Sequence, residues 1–208
     1  MSDFIQFKPV QLSEAIPEDT ASMSTACTEL TECDLLSSYE GTSISGSNGN
    51  VSKRHSAGFI ITGTQLPSKQ NLKPEDFVHI KKCAAGEAHF HGNKLPSSEC
   101  LMHWHLYENF PETQAIVHVH ELNEILYSES GRSQWKELKI SETSADAGNG
   151  TIEVGAAAVE TFNQGALYVI LRNHRPDWDS HRTGAVILGN SLEQALKHTL
   201  NTHNALKS

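Results

Sequence analysis

Twelve histidines give this chain of 208 residues several His-X-His pairs, a spacing that can hold a metal ion. On a β-strand, residues two apart point to the same face, so both imidazoles can reach one ion at about 2.0 to 2.1 Å. On a helix, the same spacing places them on nearly opposite faces. Twelve randomly placed histidines would give about one such pair, so the setting of each pair must be considered. The pairs are His89/His91, His103/His105 and His118/His120.

The pair His118 and His120 lies in an apolar, β-branched run, residues 115–123, which predicts a buried strand ending near His120. Two polar rings on one face of a buried strand lose their hydrogen bonds to water, and other interactions must offset that cost. A metal ion would do so, and hydrogen bonds within the core are the alternative.

The other two pairs are weaker candidates. His103 and His105 lie in a helix-like segment, which predicts that one packs in the core and the other meets solvent. His89 and His91 could share a strand face, but they precede the turn signal Gly92-Asn93 and have no evident third ligand. We expect them to be surface histidines.

A third histidine at the end of another strand would complete a zinc site with three protein ligands and an open position. His174 follows a strand-like segment, and His181 lies seven residues further on. Glu99 is a carboxylate suited to proton transfer if its surroundings raise its pKa. Its alternative role is a charge in the first turn of a helix capped by Ser97 or Ser98.

The composition predicts one acidic globular domain. With 38% hydrophobic residues, the chain can bury one core of substantial size. A net charge of -9 disfavours nucleic acids and anionic membranes as partners. The four cysteines have no CxxC spacing, the N-terminus does not resemble a leader, and no apolar run reaches roughly 18 residues. These features predict a cytoplasmic protein without a membrane span.

Helix-like and strand-like segments follow one another along the chain, which predicts a sheet layered with helices. The helix-like segments are at about 18–37, 97–110, 121–130, 155–165 and 191–206. The strand-like segments are 56–64, 115–123, 166–173 and 183–189. The stretch 37–54 is rich in Ser, Gly and Asn and is predicted to be a loop. Residues 1–17 show little periodicity and are predicted to be an N-terminal extension.

Six blocks of sequence occur in the order found in the class II aldolase and adducin family, which the chain resembles over about residues 20–206. The blocks are SGSNGNVSKR, GFIITGTQLP, KPEDFV, KLPSSE, AIVHVH and LRNH. The resemblance implies an α/β protein, a three-layer α/β/α sandwich with a central, largely antiparallel sheet, in a single domain over 1–208. It also implies an enzyme whose Zn2+, held by three histidines, stabilises an enediolate formed from a sugar phosphate.

The resemblance implies a role for individual residues. His118, His120 and His174 match the metal ligands. Glu99 matches the catalytic carboxylate. Donor groups on a Gly-Asn turn and hydroxyls beside a helix N-terminus suit a phosphate, so the stretch 37–54 becomes a predicted binding loop. The residues matching the family's phosphate pocket are Gly49, Asn50, Thr64, Gln65, Ser97 and Ser98.

The chain departs from the family pattern at two places. The family usually has Ser-Gly where this chain has Thr64 and Gln65, which predicts a different substrate or phosphate geometry. The segment 175–183 is an insertion of roughly nine residues, and it brings His181 closer to the family's distance from the last helix. We favour His174 as the ligand, because the strand before it matches well. The charged residues of the insertion, which either tune substrate choice or form a solvated loop, are Arg175, Asp177 and Asp179.

The function that this resemblance implies is a zinc-dependent aldolase that cleaves a ketose 1-phosphate into dihydroxyacetone phosphate and an aldehyde. A dehydratase like those acting on methylthioribulose 1-phosphate is an alternative, as is an epimerase, although epimerases of the family usually have Asp at the position of Glu99. A non-catalytic, adducin-like interaction module is a further alternative. It is less consistent with the retained histidines, because buried imidazoles without an ion only lower stability.

Members of the family commonly form tetramers with sites at subunit interfaces, so the resemblance implies a homo-oligomer. Light scattering on the purified protein at micromolar concentration is therefore expected to give a mass of about four chains. A monomer at that concentration would contradict this expectation.

Overall fold

The computed structural model describes residues 5–40, 45–146, 150–175 and 180–208. The helices are α1 Ala21–Glu32, α2 Cys100–Asn109, α3 Asn123–Leu126, α4 Glu129–Gln134, α5 Ile152–Asn163 and α6 Leu192–Leu206. The first strands are β1 Lys8–Ser13, β2 Ser38–Glu40, β3 Ser45–Ser47, β4 Asn50–His55, β5 Gly58–Thr62 and β6 Phe77–Ala84. The remaining strands are β7 Glu87–His91, β8 Ala115–Leu122, β9 Ile140–Glu142, β10 Tyr168–Ile170 and β11 Arg182–Gly189. A 3-10 turn, Pro74–Asp76, precedes β6.

Nine of these strands form one sheet in the order β1-β7-β6-β5-β4-β8-β11-β10-β9, and β2 pairs with β3 separately. The outermost pairs, β1 with β7 and β9 with β10, are parallel, and every pair between them is antiparallel. The prediction of a largely antiparallel sheet is confirmed.

Helices cover both faces of the sheet. On one face, α2 and α5 pack against a core that includes Phe59, Ile116 and Val186. On the other face, α1 and α6 pack against Val117, Ile187 and further side chains of the same strands. Because alternate strand residues enter opposite cores, the fold is the predicted α/β/α sandwich. Within the described ranges, no helix has the length and apolar character needed to cross a bilayer.

Several strands lie where the sequence indicated none, and two of them, β4 and β1, belong to the main sheet beside the site or at its edge. β4 falls in the stretch rich in Ser, Gly and Asn, yet it pairs with β5 on one side and β8 on the other. Hydrogen bonds along both edges hold it there despite its polar composition. β1 forms an edge of the sheet beside β7, so Lys8–Ser13 is part of the sheet rather than of an extension. Its side chains are mostly exposed, which removes the apolar alternation that predicts a strand.

Helix α1 is shorter than the predicted segment at about 18–37. It ends at Glu32, and Asp34 has a positive φ of 62°. This left-handed residue reverses the chain, so that Leu35 and Leu36 enter the core beside α1. The apolar residues after the helix therefore extended the predicted segment beyond its true end.

A buried polar network joins α2 to β4. The Ser52 hydroxyl lies 2.7 Å from His103 Nδ1 and 2.9 Å from the Tyr107 hydroxyl. His103 is fully buried, whereas His105 is half-buried, as the helical spacing predicted. Burial lowers the pKa of His103 to about 3, so the ring is neutral in the folded protein.

We predict that His103 makes the protein less stable in mild acid. The unfolded chain binds a proton at this residue near pH 6.5 and the folded protein only near pH 3. This contribution to the free energy of unfolding is therefore constant above about pH 6.5 and falls as the pH drops from there toward 3. At pH 5 the loss attributable to His103 is about 2 kcal/mol.

Urea denaturation at pH 7.5 and pH 5, with a chelator present throughout, tests this prediction. The His103→Gln variant should lose less stability between the two pH values than the parent protein does. Equal losses in both proteins would contradict the prediction.

Candidate active site

Strands β8 and β4 bring polar side chains to one end of the sheet, on the face covered by α2 and α5. His118 and His120 point to this face from the end of β8. Asn50, the first residue of β4, pairs with His118, and Gly184 of β11 pairs with His120. His174 joins them from the turn that follows β10.

The three imidazoles converge in a group that could hold a metal ion. One ligand nitrogen from each of His118, His120 and His174 lies within 4.8 Å of the others, and all three residues are buried. The Nε2 atoms of His118 and His120 are 3.1 Å apart. Two nitrogens bound tetrahedrally to one ion at about 2.0 to 2.1 Å would be separated by about 3.3 Å. The separation of the His118 and His120 nitrogens therefore suits a shared ion.

The residues around the imidazoles are consistent with a metal centre. His118 Nδ1–H donates to the carbonyl of Ala185 at 2.9 Å, which leaves the lone pair of Nε2 for a metal. Burial and the neighbouring histidines lower the pKa values of His118 and His120 well below the usual range. The rings are then neutral, which is the form that binds divalent cations. Among the described residues, His120 Nδ1 is buried without a hydrogen-bond partner.

Gly184 provides the space that the cluster occupies. A Cβ atom at this position would lie 2.4 Å from Cδ2 of His174 and 2.9 Å from Cε1 of His118. Neither ring could keep its place beside any larger residue, because such distances lie inside van der Waals contact. The glycine is therefore needed for close approach and not for an unusual backbone angle.

Glu99 lies beside the three histidines at the start of α2. Its Oε1 atom is 3.8 Å from His174 Nε2 and accepts a hydrogen bond from the Gly150 backbone N–H at 3.0 Å. Its Oε2 atom is buried without a partner among the described residues. Burial raises the pKa of Glu99 to about 7, and the Gly150 N–H opposes part of this rise. A carboxyl group with such a pKa can give and take a proton near neutral pH.

The start of α2 differs from the prediction that Ser97 or Ser98 caps the helix. The helix begins at Cys100, and Glu99 occupies the N-cap position without a side-chain cap. The Ser97 hydroxyl oxygen instead accepts hydrogen bonds from the Asn50 amide at 3.1 Å and from the Glu99 backbone N–H at 3.3 Å. Ser98 follows it and is half-buried.

The residues matching the phosphate pocket come from three segments that meet at this end of the sheet. Asn50 joins the first segment to Ser97 of the third. Thr64, in the second, donates its backbone N–H to the carbonyl of Leu95 at 2.9 Å. Gly63 and Pro96 form an isolated β-bridge beside it. The structure thus brings the segments together, and their binding of phosphate remains a prediction.

Backbone conformation explains two residues of this group. Gly49 has a φ of +66°, and a Cβ there would lie 2.4 Å from the backbone oxygen of His118, so only glycine fits. Gln65 has a φ of +57° although it carries a side chain, which is exposed. The left-handed conformation at residue 65 is one that the family's usual glycine adopts without strain.

The structure separates His181 from the other histidines. Its side chain is exposed, and its backbone carbonyl accepts a hydrogen bond from the Asn123 N–H at 2.7 Å. In the described parts of the chain, the group that could hold a metal contains His174 and not His181. Of the insertion, Arg175 is exposed, and Asp177 and Asp179 lie outside the described residues.

The pair His89 and His91 lies away from this cluster, on β7. Both rings are half-buried. His89 Nε2 is 3.1 Å from a carboxylate oxygen of Glu87, and His91 Nδ1 is 2.7 Å from the Ser13 hydroxyl. Protein side chains therefore partner both rings.

Comparison with known proteins identifies the family. Residues 35–208 match the family described as Class II Aldolase and Adducin N-terminal domain. The chain belongs to the class II aldolase and adducin family.

Several relatives in this family act on sugar phosphates according to their names. L-fuculose phosphate aldolase of Haemophilus influenzae is 38% identical over 78 residues, which are 38% of this chain and 34% of that protein. The matched part thus spans about a third (34%) of that relative's length. Methylthioribulose-1-phosphate dehydratase of Yersinia pseudotuberculosis is 24% identical over 160 residues, covering 72% of this chain and 71% of that protein.

The fold of the family is also found among solved structures. A sugar-phosphate aldolase from Thermotoga maritima superposes with a TM-score of 0.66 at 20% identity, over 89% of this chain and 90% of that one. This likeness shows that the two proteins share a fold. The three-layer architecture is therefore that of class II aldolases.

Two residues of the site were not identified from the sequence. Gly150 supplies the N–H that binds Glu99, and it has a φ of +73°. Its only signal was a Gly- and Asn-rich stretch before α5, which predicts a turn but no contact. Lys69 is buried beside the first phosphate segment, where its ammonium group donates to the carbonyls of Ser47 and Asn48. In the sequence, a single lysine in a polar loop does not indicate that its side chain is buried or which groups it contacts.

We predict that removing His174 abolishes tight zinc binding and that removing His181 does not. Loss of one of three converging imidazoles should weaken zinc binding by more than the roughly 10- to 100-fold caused by losing a group that supports a ligand. His181→Ala is the matched control, because it removes the same side chain from an exposed position. Elemental analysis and competition with a zinc indicator measure both variants. Zinc retained by His174→Ala but lost from His181→Ala would reverse the assignment.

Proposed function

We propose that the protein is a zinc-dependent aldolase that cleaves a ketose 1-phosphate into dihydroxyacetone phosphate and an aldehyde. One observation carries this proposal, namely that three buried imidazoles converge beside a buried carboxyl group whose pKa is near neutrality. Membership of the class II aldolase and adducin family and similarity to an L-fuculose phosphate aldolase support it.

In this proposal, His118, His120 and His174 hold the cation. A bound divalent cation supplies Lewis acidity, which stabilises negative charge on the substrate's carbonyl and neighbouring hydroxyl oxygens. Neutral imidazoles leave the full positive charge of the cation available for this purpose. Other divalent ions also bind three imidazoles, and zinc is proposed because it is the metal that such ligand sets most often hold.

Glu99 is the group that transfers protons to and from the substrate in this proposal. In the cleavage direction Glu99 accepts the proton of the hydroxyl group that becomes the aldehyde carbonyl, the carbon-carbon bond breaks, and Glu99 then gives a proton to the carbon atom that the departing aldehyde leaves. The synthetic direction reverses both transfers. The burial of Glu99 makes the protonated form accessible near pH 7, and the Gly150 N–H holds one oxygen in place. Its other oxygen has no protein partner in the described parts of the chain, so it is the one available to the substrate.

The phosphate group of the substrate is proposed to bind where the three segments meet. Backbone N–H groups around Gly49, the Ser97 hydroxyl and the N-terminus of α2 offer donors and partial positive charge. Thr64, Gln65 and Ser98 complete this pocket. A local arrangement of donors explains how a protein with a net charge of -9 could bind an anion.

The dehydratase reaction is the alternative that the assay must separate. The dehydratase of Yersinia pseudotuberculosis aligns over 72% of this chain, although at 24% identity. A dehydratase would consume its ketose phosphate by loss of water and would release no dihydroxyacetone phosphate. Measuring the triose phosphate therefore distinguishes the two reactions.

We predict that Glu99→Gln lowers kcat for cleavage by roughly 100- to 10,000-fold, which is the range for loss of a positioned acid or base. Zinc content should stay unchanged, because the imidazoles remain. Glu108→Gln is the matched control, since Glu108 is exposed on the same helix. A coupled assay for dihydroxyacetone phosphate with a panel of ketose 1-phosphates measures all three proteins. Undiminished cleavage by Glu99→Gln, or no cleavage by zinc-loaded parent protein, would refute the proposed function.

A further inference from the structure

Lys69 is a positively charged residue in an unusual place. Its side chain is buried, with a relative exposure of 3%. Its ammonium group donates to the Ser47 carbonyl at 2.8 Å, to the Ser47 hydroxyl at 2.8 Å and to the Asn48 carbonyl at 3.2 Å. These three bonds use all the hydrogens of the ammonium group.

The contacts of Lys69 connect two of the three segments proposed to bind phosphate. Ser47 and Asn48 immediately precede Gly49 and Asn50, and Lys69 closes the segment that begins with Thr64. The Ser47 hydroxyl also donates to the carbonyl of Leu66 at 2.8 Å. A single ammonium group and a single hydroxyl thus fix the distance between the two segments.

The charge of Lys69 has no carboxylate beside it. Across the described residues, no ion pair reaches its ammonium group. The ionisable group that acts on it is the Cys27 thiol, whose pKa burial raises to about 12, so that this thiol is neutral near pH 7. A buried cation without a counter-ion destabilises a protein, and the bound carbonyls offset only part of that cost.

Lys69 is also connected to the active site. Lys69 donates to the carbonyl of Asn48, two residues before Asn50, and Asn50 pairs with the candidate ligand His118 in the sheet. Burial weakens solvent screening along this path. An anion bound near Gly49 and Asn50 would therefore feel the positive charge of Lys69 through the protein.

We infer that Lys69 is a positioning residue for the substrate's phosphate group, holding the Gly49-Asn50 turn against the Thr64-Gln65 segment and supplying the charge that the dianion neutralises. This inference rests on the proposed function. Lys69 acts through the backbone of the turn, because its own hydrogens are already donated to Ser47 and Asn48. The phosphate is thus bound by backbone donors and is stabilised by a charge that lies behind them.

The test compares Lys69→Met with Lys73→Met in zinc-loaded protein. Methionine keeps an unbranched side chain that is one atom shorter and removes its charge. Lys73 lies in the same loop and is exposed, which makes it the matched control. Calorimetric titration with inorganic phosphate, zinc content, and kcat and KM for the cleaved ketose 1-phosphate are measured for both variants.

We expect Lys69→Met to weaken phosphate binding and raise KM by roughly 10- to 100-fold, because the variant loses both a buried, weakly screened charge behind the phosphate and the bonds that hold the turn. The kcat value should change by less than about threefold, because the reacting atoms lie at Glu99 and the imidazoles. Lys73→Met should behave as the parent protein does. Unchanged phosphate affinity in Lys69→Met, or an equal loss in Lys73→Met, would overturn the inference.

Two further variants allow the inference to be tested even if Lys69→Met does not fold. Lys69→Gln can still donate to the carbonyls without a charge, whereas Lys69→Arg keeps the charge, so Arg should retain more phosphate affinity than Gln. Hydrogen exchange on the parent protein gives an independent measurement. Phosphate should slow exchange in residues 47–50 and in residues 64–69 together, and protection of the first segment alone would overturn the inference.

The failure of this inference can be told apart from the failure of the proposed function. Phosphate titration requires no catalytic turnover. A parent protein that binds phosphate in a manner dependent on Lys69, but cleaves no ketose 1-phosphate, would refute the aldolase proposal alone. A parent protein that binds no phosphate would overturn the inference about Lys69.

Discussion

The pairing of β8 between β4 and β11 is the constraint on which the candidate site depends. Its register sets Asn50 and Val186 opposite His118, and Gly184 opposite His120. A slip of one residue would turn both histidines into the core beneath α1 and α6 and would place Val117 and Val119 at the site. The apolar residues between the histidines therefore specify the register, because they must face the opposite core.

The polar groups of this site are buried at a cost to stability. A buried donor or acceptor without a partner costs roughly 1 to 3 kcal/mol. Among the described residues, unpartnered buried atoms at this end of the sheet belong to Asn50, Glu99 and His120. Elsewhere the sheet buries mostly aliphatic and aromatic side chains in its two cores. The two hydrophobic cores thus stabilise the fold and offset the cost of these unpartnered polar atoms. A bound ligand or metal would supply the partners that they lack.

The charges around the candidate site differ in sign from the net charge of the chain. The chain has a net charge of -9, whereas the buried end of the sheet combines neutral imidazoles, the Lys69 ammonium group and the positive end of α2. Burial raises the pKa of Glu99, the carboxyl group among them, to about 7, so that only part of it carries negative charge near neutral pH. An anion would therefore be stabilised at this end of the sheet although the net charge of the chain repels it.

The sequence by itself determined the main features of this protein. Periodicity located the buried strand that carries His118 and His120, and the i, i+2 rule placed both rings on one face. The resemblance in six ordered blocks indicated the three-layer sandwich, Glu99 and the three segments of the phosphate pocket. These features could be predicted because each depends on local spacing or on residue types that one short motif contains.

Only the tertiary structure decided the rest. It made β4 an inner strand in spite of its polar composition, because backbone pairing on both edges does not depend on side-chain hydrophobicity. It brought His174 rather than His181 to the cluster. It also placed Gly150 against Glu99 and Lys69 behind the Gly49 turn. These contacts join residues that are remote in sequence, and no local pattern records which distant backbone groups the folded chain will bring together.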